Sequence, residues 1–122
     1  MKLGTRTIGE GICVIDVSGE IDVYTSPRLK QQINGCFNNR QYRIVVNLTE
    51  AEYLDASALG ILISGLKGCR EQNGTLLLIC PKPRVLKIFE ITGLNKIFEI
   101  FLTTEEALEK IGATEQASPA PA

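Results

Sequence analysis

Two short segments hold the residues whose types and spacing could do chemistry. Asp55 and Ser57 stand two apart in the polar stretch Thr49 to Ser57, and Ser18 to Thr25 is a second stretch rich in polar residues. A serine hydroxyl beside a carboxylate can be a nucleophile, a helix cap or a phosphoacceptor. Nucleophilic catalysis needs a base, and the chain has no histidine, so neither a Ser-His-Asp nor a Cys-His arrangement can be built. Asp55 and Ser57 with no lysine nearby would make an unactivated pair, so no enzyme is expected. Ser57 directly precedes a helical stripe. As its N-cap the hydroxyl would contribute about 1 kcal/mol. As a phosphoacceptor it would gain about −1.5 to −2 charges next to free helix N–H groups, where the helix dipole favours an anion. The two roles are compatible, since a hydroxyl can cap when free and accept a phosphate from a kinase. Asp55 taken alone reads as a turn or capping residue.

The remaining side chains narrow the chemistry further. Cys13, Cys36, Cys69 and Cys80 are spread singly, without a C-x-x-C pair, so no metal site is expected. Each lies in or beside an apolar run, where free cysteine behaves as a small hydrophobe, and all four are expected to be buried and reduced. There is no G-x-x-x-x-G-K-[ST] loop and no cofactor is expected. With 13 basic and 14 acidic residues the net charge is −1, and no basic stripe points to nucleic acid. The longest apolar runs, such as Leu76 to Cys80, fall far short of the roughly 20 residues of a membrane helix. Met1-Lys2-Leu3-Gly4 has no apolar segment of the signal-peptide kind, so no membrane contact and a cytoplasmic location are expected.

The elements that must position these residues follow from periodicity. At 122 residues, 44% hydrophobic and 22% charged, the chain has the composition of one globular domain. Ile12 to Val17 reads as a strand bounded by Gly11 and Ser18-Gly19, with a weaker strand at Leu3 to Ile8 joined through Gly9-Glu10-Gly11 as a hairpin. Ser26-Pro27 predicts a helix start with Ser26 as cap, followed by Leu29, Ile33, Cys36 and Phe37 on one face. Arg43 to Leu48 and Thr75 to Cys80 are apolar on both faces, as in a parallel sheet. Between them a helix from Ser57 carries Leu59, Leu62, Ile63, Leu66 and Cys69 and ends at Asn73-Gly74. A helix opening at Pro81-Lys82-Pro83 carries Val85, Leu86, Ile88 and Phe89, with Gly93 and Leu94 as its C-terminal cap. Ile97 to Phe101 is a last strand. Thr103-x-x-Glu106 is a capping box for a helix with Ala107, Leu108 and Ile111. The order β-β-α-β-α-β-α-β-α predicts an α/β fold: a mostly parallel sheet of about five strands, the first antiparallel, with about four helices. Residues 113–122 read as a disordered tail on a domain of residues 1–112. Both polar segments then fall at carboxyl ends of strands, where open α/β sheets bind their ligands.

On those elements the motifs resemble the STAS domain in its bacterial anti-sigma-factor-antagonist branch. Tyr53-Leu54-Asp55-Ala56-Ser57-Ala58-Leu59-Gly60-Ile61-Leu62 is similar to the family signature of an acidic residue, a small residue, the phosphoacceptor serine and small-Leu-Gly. Gly19-Glu20-Ile21-Asp22 followed by Thr25 resembles its G-E-hydrophobic-D-x-x-T segment. Val46-Asn47-Leu48 and Ile91-Thr92-Gly93-Leu94 match its central strand and the segment after its third helix. The resemblance covers about residues 8–112. It implies a protein substrate rather than an enzyme: an anti-sigma factor antagonist whose unphosphorylated form binds an anti-sigma-factor-type serine kinase. Phosphorylation of Ser57 would release the kinase, and a PP2C-type phosphatase would reset the switch. The resemblance also places Asp22, Thr25, Asp55 and Ser57 on the partner-facing surface, which Glu52 would help to make acidic. Ala56 departs from the family in lacking a neighbouring hydroxyl. Ala58 stands where glycine is common, which firms the first helical turn and adds a methyl group. The alternative is a STAS scaffold or transporter-associated subunit in which Ser57 only caps the helix.

Overall fold

The computed structural model describes residues 1–9 and 11–117, with side chains through residue 112. In chain order the elements are β1 (Lys2–Ile8), β2 (Ile12–Ile21), α1 (Ser26–Asn38), β3 (Arg43–Leu54), α2 (Ala56–Glu71), β4 (Thr75–Ile79), α3 (Pro83–Thr92), a 3-10 turn (Leu94–Lys96), β5 (Ile100–Phe101) and α4 (Thr104–Ala117). The strands form one sheet in the order β1-β2-β3-β4-β5. β1 is antiparallel to β2 and the other pairs are parallel, as the element order predicts.

Strands added one after another with right-handed crossovers must send their helices to the same face. Leu29, Ile33 and Cys36 of α1, Leu62, Leu66 and Cys69 of α2, and Val85 and Phe89 of α3 accordingly share one core with Ile15, Ile44, Val46, Leu76 and Leu78 of the sheet. α4 follows the last strand, free of any crossover. Its Ala107 and Ile111 cover the opposite face, against Val14, Val45, Leu77 and Ile79. This two-sided burial is why the central strands are apolar without alternation. Towards β1 the same face turns polar. Arg6 Nε donates to Asp16 at 2.7 Å, Asn47 Nδ2 donates to Asp16 at 2.8 Å, and Thr49 N–H donates to Asn47 Oδ1 at 3.1 Å. The Arg6 guanidinium holds the Asp16 carboxyl below the usual carboxylate range, with Asn47 adding to the effect and partial burial opposing it.

Several boundaries differ from the sequence reading. β2 and β3 continue well past Val17 and Leu48, so much of each polar segment is strand. The register between them shifts between Asp16 and Ser18 and again between Gly19 and Glu20. Ser18-Gly19, which reads as a stop, is therefore a bulged stretch with Gly19 at φ +83°, a conformation open to glycine at little cost. Beyond it Ile21, Ala51 and Leu54 regain the core. α1 has Thr25, not Ser26, at its N-cap position, with no side-chain capping bond to the helix, and Ser26 lies buried in its first turn. β5 is reduced to two residues because Leu94 to Lys96 wind into the 3-10 turn and Phe98 is buried edge-on against Phe89. On α2, Ile63 is 38% exposed, at the edge of a buried stripe that also includes Ala58 and Gly65. Gly93 caps α3 in the left-handed region, and Thr103 Oγ1 accepts from Glu106 N–H at 3.1 Å to start α4. α4 runs past residue 112, and the last part of the expected tail, residues 118–122, lies outside the described residues.

The cysteine reading needs one correction. All four are buried, but Cys13 and Cys36 are joined in a disulfide between β2 and α1, with Cα atoms 6.7 Å apart. Each reads as a core position of its own element, and only the packing of α1 onto β2 sets them opposite one another. Cys69 and Cys80 are free, and burial pushes their thiols up to about 12 and about 11, which makes them unreactive.

Two glycines test the packing. A Cβ on Gly74 would stand 2.0 Å from the carbonyl oxygen of Tyr42, the acceptor for Thr75 N–H at the start of β4. Gly74→Ala should lower stability by about 1–3 kcal/mol in urea unfolding. Gly60, in α2, has open space where a Cβ would go. Gly60→Ala should raise stability by up to about 1 kcal/mol through helix propensity.

Candidate functional site

The two polar segments leave the sheet side by side. Ile21 of β2 is in register with Leu54 of β3, and Asp55 N–H donates to Ile21 C=O at 3.1 Å. The next residues of each chain segment, Asp22 and Asp55, therefore start adjoining loops at the carboxyl end of the sheet. Of the four residues singled out from the sequence, Asp22, Thr25 and Asp55 lie in these connections, and Ser57 lies just beyond, in the first turn of α2.

The cap of α2 is Asp55 and not Ser57. Asp55 Oδ1 accepts from Ser57 N–H at 2.9 Å and from Ala58 N–H at 3.2 Å, the second and third N–H groups of the helix, and Leu59 N–H closes the first turn on Asp55 C=O. A charged acceptor two residues upstream does the capping that a serine would otherwise do. The Ser57 hydroxyl in turn donates to Asp55 Oδ1. Ser57 is half-buried, in the first turn. The hydroxyl donation, the three backbone donors Ala58, Ser57 and Val23, and opposing desolvation leave the Asp55 carboxyl below the usual carboxylate range. Ser57 makes the largest contribution.

The neighbouring loop is closed on itself. Asp22 Oδ1 accepts from Tyr24 N–H at 2.9 Å, from Thr25 N–H at 3.1 Å and from Thr25 Oγ1 at 3.1 Å. Thr25 Oγ1 accepts from Asp22 N–H at 2.9 Å. Aspartate and threonine three apart thus lock one turn reciprocally and set the entry to α1. The two segments are joined where Asp55 N–H donates to Ile21 C=O. That link has no signature in the sequence, because it is a main-chain bond between strands. Glu52, expected to add free negative charge, is instead paired with Lys82 Nζ at 2.8 Å and Arg84 at 2.7 Å, and Lys82 is the main cause of its lowered pKa. Between and beside these polar groups stand the exposed side chains of Val23, Tyr24 and Tyr53, which sequence reading passed over. Their signal was available: three large apolar residues in segments otherwise polar.

A single sheet with three helices on one face and one on the other, with a serine in the first turn of the helix that Asp55 caps, defines a class of small α/β domains. The chain belongs to the STAS domain family, in its anti-sigma-factor-antagonist branch: the family's model, described as STAS domain, matches residues 6–107. The Anti-sigma-B factor antagonist of Listeria monocytogenes is 36% identical over 86 residues, covering 70% of this chain and 75% of that protein. The protein of the same name from Staphylococcus aureus is 32% identical over 91 residues, covering 75% and 84%. Among solved structures, the anti-sigma factor antagonist SpoIIAA in its unphosphorylated form superposes with TM-score 0.79 at 21% identity, over 92% of this chain and 97% of that one. Its phosphorylated form, from Bacillus, superposes with TM-score 0.71 at 22% identity, over 90% and 99%. No helix among the described residues is long and apolar enough to cross a membrane.

The lowered Asp55 pKa has a defined pH consequence. A carboxyl whose folded pKa lies below its unfolded value stabilises fully above the unfolded value, near about 3.9, and loses that contribution as pH falls through the folded one. Asp55→Ala should therefore melt at a lower temperature than wild type at neutral pH. The gap should stay constant down to about pH 5 and close below about pH 4, as thermal melts across that range would record.

Proposed function

We propose that this chain is a phosphorylation-switched binding module. Unphosphorylated, it binds an anti-sigma-factor-type serine kinase. Phosphorylation of Ser57 ends that complex, and a PP2C-type phosphatase restores the free hydroxyl. The chain itself turns over no substrate, and because the exchange consumes ATP we place it in the cytoplasm.

The observation that carries this reading is the division of work between Asp55 and Ser57. Because Asp55 caps α2, the Ser57 oxygen owes nothing to the helix and keeps its lone pairs for an electrophile. In the transfer, Ser57 Oγ forms the bond to the γ-phosphorus of ATP, the bond to the β–γ bridging oxygen breaks, and ADP leaves. The hydroxyl proton, held towards Asp55 in the free protein, passes to a base of the kinase. Support also comes from the relatives named as anti-sigma-B factor antagonists and from SpoIIAA, known in unphosphorylated and phosphorylated forms.

The product sets a dianion against the Asp55 carboxylate, which already occupies the Ser57 and Ala58 N–H groups. The rearrangement stays at the helix end, since the apolar stripe beneath has no part in it. The partner loses affinity because an unpaired charge must now be desolvated where a neutral hydroxyl stood. A hundredfold loss corresponds to about 2.8 kcal/mol.

Incubation with the cognate kinase and ATP should modify Ser57 alone by phosphopeptide mapping, and Ser57→Ala should abolish the modification while still binding the kinase. Calorimetric titration should show the phosphorylated chain binding at least about a hundredfold more weakly than the free one. Equal binding of the two forms would overturn the switch in favour of a scaffold in which Ser57 is structural.

A further inference from the structure

We infer that Val23, Tyr24 and Tyr53 are the residues that grip the partner, and that they seat in an apolar pocket rimmed by basic side chains on a protein surface. The inference rests on the switch reading above and reassigns the roles within its site.

The polar residues of the site are already engaged within the chain. Asp22 holds Tyr24 N–H, Thr25 N–H and the Thr25 hydroxyl, and Asp55 holds two helix N–H groups and the Ser57 hydroxyl. These bonds all fall on Oδ1 of each carboxylate and fix the two segments, which leaves Oδ2 of each to add negative charge at the surface. Asp22, Thr25 and Asp55 are positioning residues. What the two loops present outward is apolar: Tyr24 is 87% exposed, Val23 60% and Tyr53 51%. Large apolar side chains standing in water on an otherwise well-packed domain mark an interaction surface, and tyrosine is among the residues that dominate interface energetics. The backbone beneath Val23 and Tyr24 is fixed by the reciprocal bonds of Asp22 and Thr25, so little ordering is left to do on binding.

Continuity ties this patch to the switch. Ile21 faces Leu54 and Asp55 N–H donates to Ile21 C=O at 3.1 Å, so Val23 and Ser57 each stand two residues beyond one bonded pair, and a partner seated on Val23 and Tyr24 also covers Ser57. Charge gives the partner's chemistry. Residues 18–26 and 49–59 contain Glu20, Asp22, Glu50 and Asp55, besides Glu52, which is paired with Lys82 and Arg84, and no lysine or arginine. Glu20 is in register with Tyr53, which sets a carboxylate beside the ring's strand position. An apolar centre with an acidic surround matches an apolar pocket with a basic rim.

The test titrates the full chain, by calorimetry, with each anti-sigma-factor-type serine kinase encoded in the source genome. Wild type should bind one of them, with affinity falling as salt is raised. Tyr24→Ala should weaken that binding at least tenfold, Val23→Ala and Tyr53→Ala measurably, with melting temperatures unchanged. Asp22→Asn, which keeps an oxygen for the Tyr24 and Thr25 N–H groups, should retain most of the affinity. If Tyr24→Ala binds like wild type while Ser57 is still phosphorylated, this surface assignment is wrong and the switch stands. Salt-independent binding overturns the basic rim. Loss of self-association in Tyr24→Ala, read by sedimentation, makes the patch a contact between two copies and overturns the kinase as its occupant. If no such kinase binds or phosphorylates the wild type, the switch reading falls and this inference falls with it.

Discussion

Asp55 ties the end of β3 to the start of α2 and to the end of β2. Its carboxylate accepts from two helix N–H groups and from the Ser57 hydroxyl, and its N–H donates to Ile21 C=O. Donors that favour the ionised form, the Ser57 hydroxyl first, hold the carboxyl below the usual carboxylate range. The geometry of Ser57 therefore depends on this residue, while the Asp22 carboxylate sets the posture of Tyr24.

Asp55 can do this only because the sheet delivers it there. The parallel pairing of β2 with β3 persists through two register shifts until Ile21 faces Leu54. Without the bulged stretch at Ser18-Gly19 the strands would diverge earlier, and Asp22 and Asp55 would leave from different heights. The buried side chains of Ile21, Ala51 and Leu54 secure the extension. Apolar burial thus sets the spacing of two polar loops whose own hydrogen bonds then fix their shape.

The fold leaves function open, since one scaffold can serve many partners. Discrimination lies in how side chains at the carboxyl end are spent. Asp22, Thr25 and Asp55 satisfy backbone donors, Glu52 neutralises Lys82 and Arg84, and the exposed area falls to a valine and two tyrosines. A motif of polar residues in sequence becomes, once folded, a frame around an apolar surface.

Much of this was legible beforehand. Strand and helix identities followed from the period of apolar residues, and the parallel sheet with an antiparallel first strand followed from their order. Asp55 and Ser57 could be singled out because capping chemistry is local and leaves a spacing in the chain, and Asp22 and Thr25 through the family resemblance. What the sequence by itself could not decide are contacts between segments distant along it. The pairing of Cys13 with Cys36 depends on the facing of α1 and β2. The neutralisation of Glu52 depends on where α3 begins. The extension of β2 and β3 beyond Ser18 and Leu48 depends on each being the other's hydrogen-bonding partner, which outweighs the turn tendency of Ser-Gly. The choice of Asp55 over Ser57 as cap depends on the angle at which β3 enters α2. Local preference names the candidates, and only tertiary packing brings donor to acceptor.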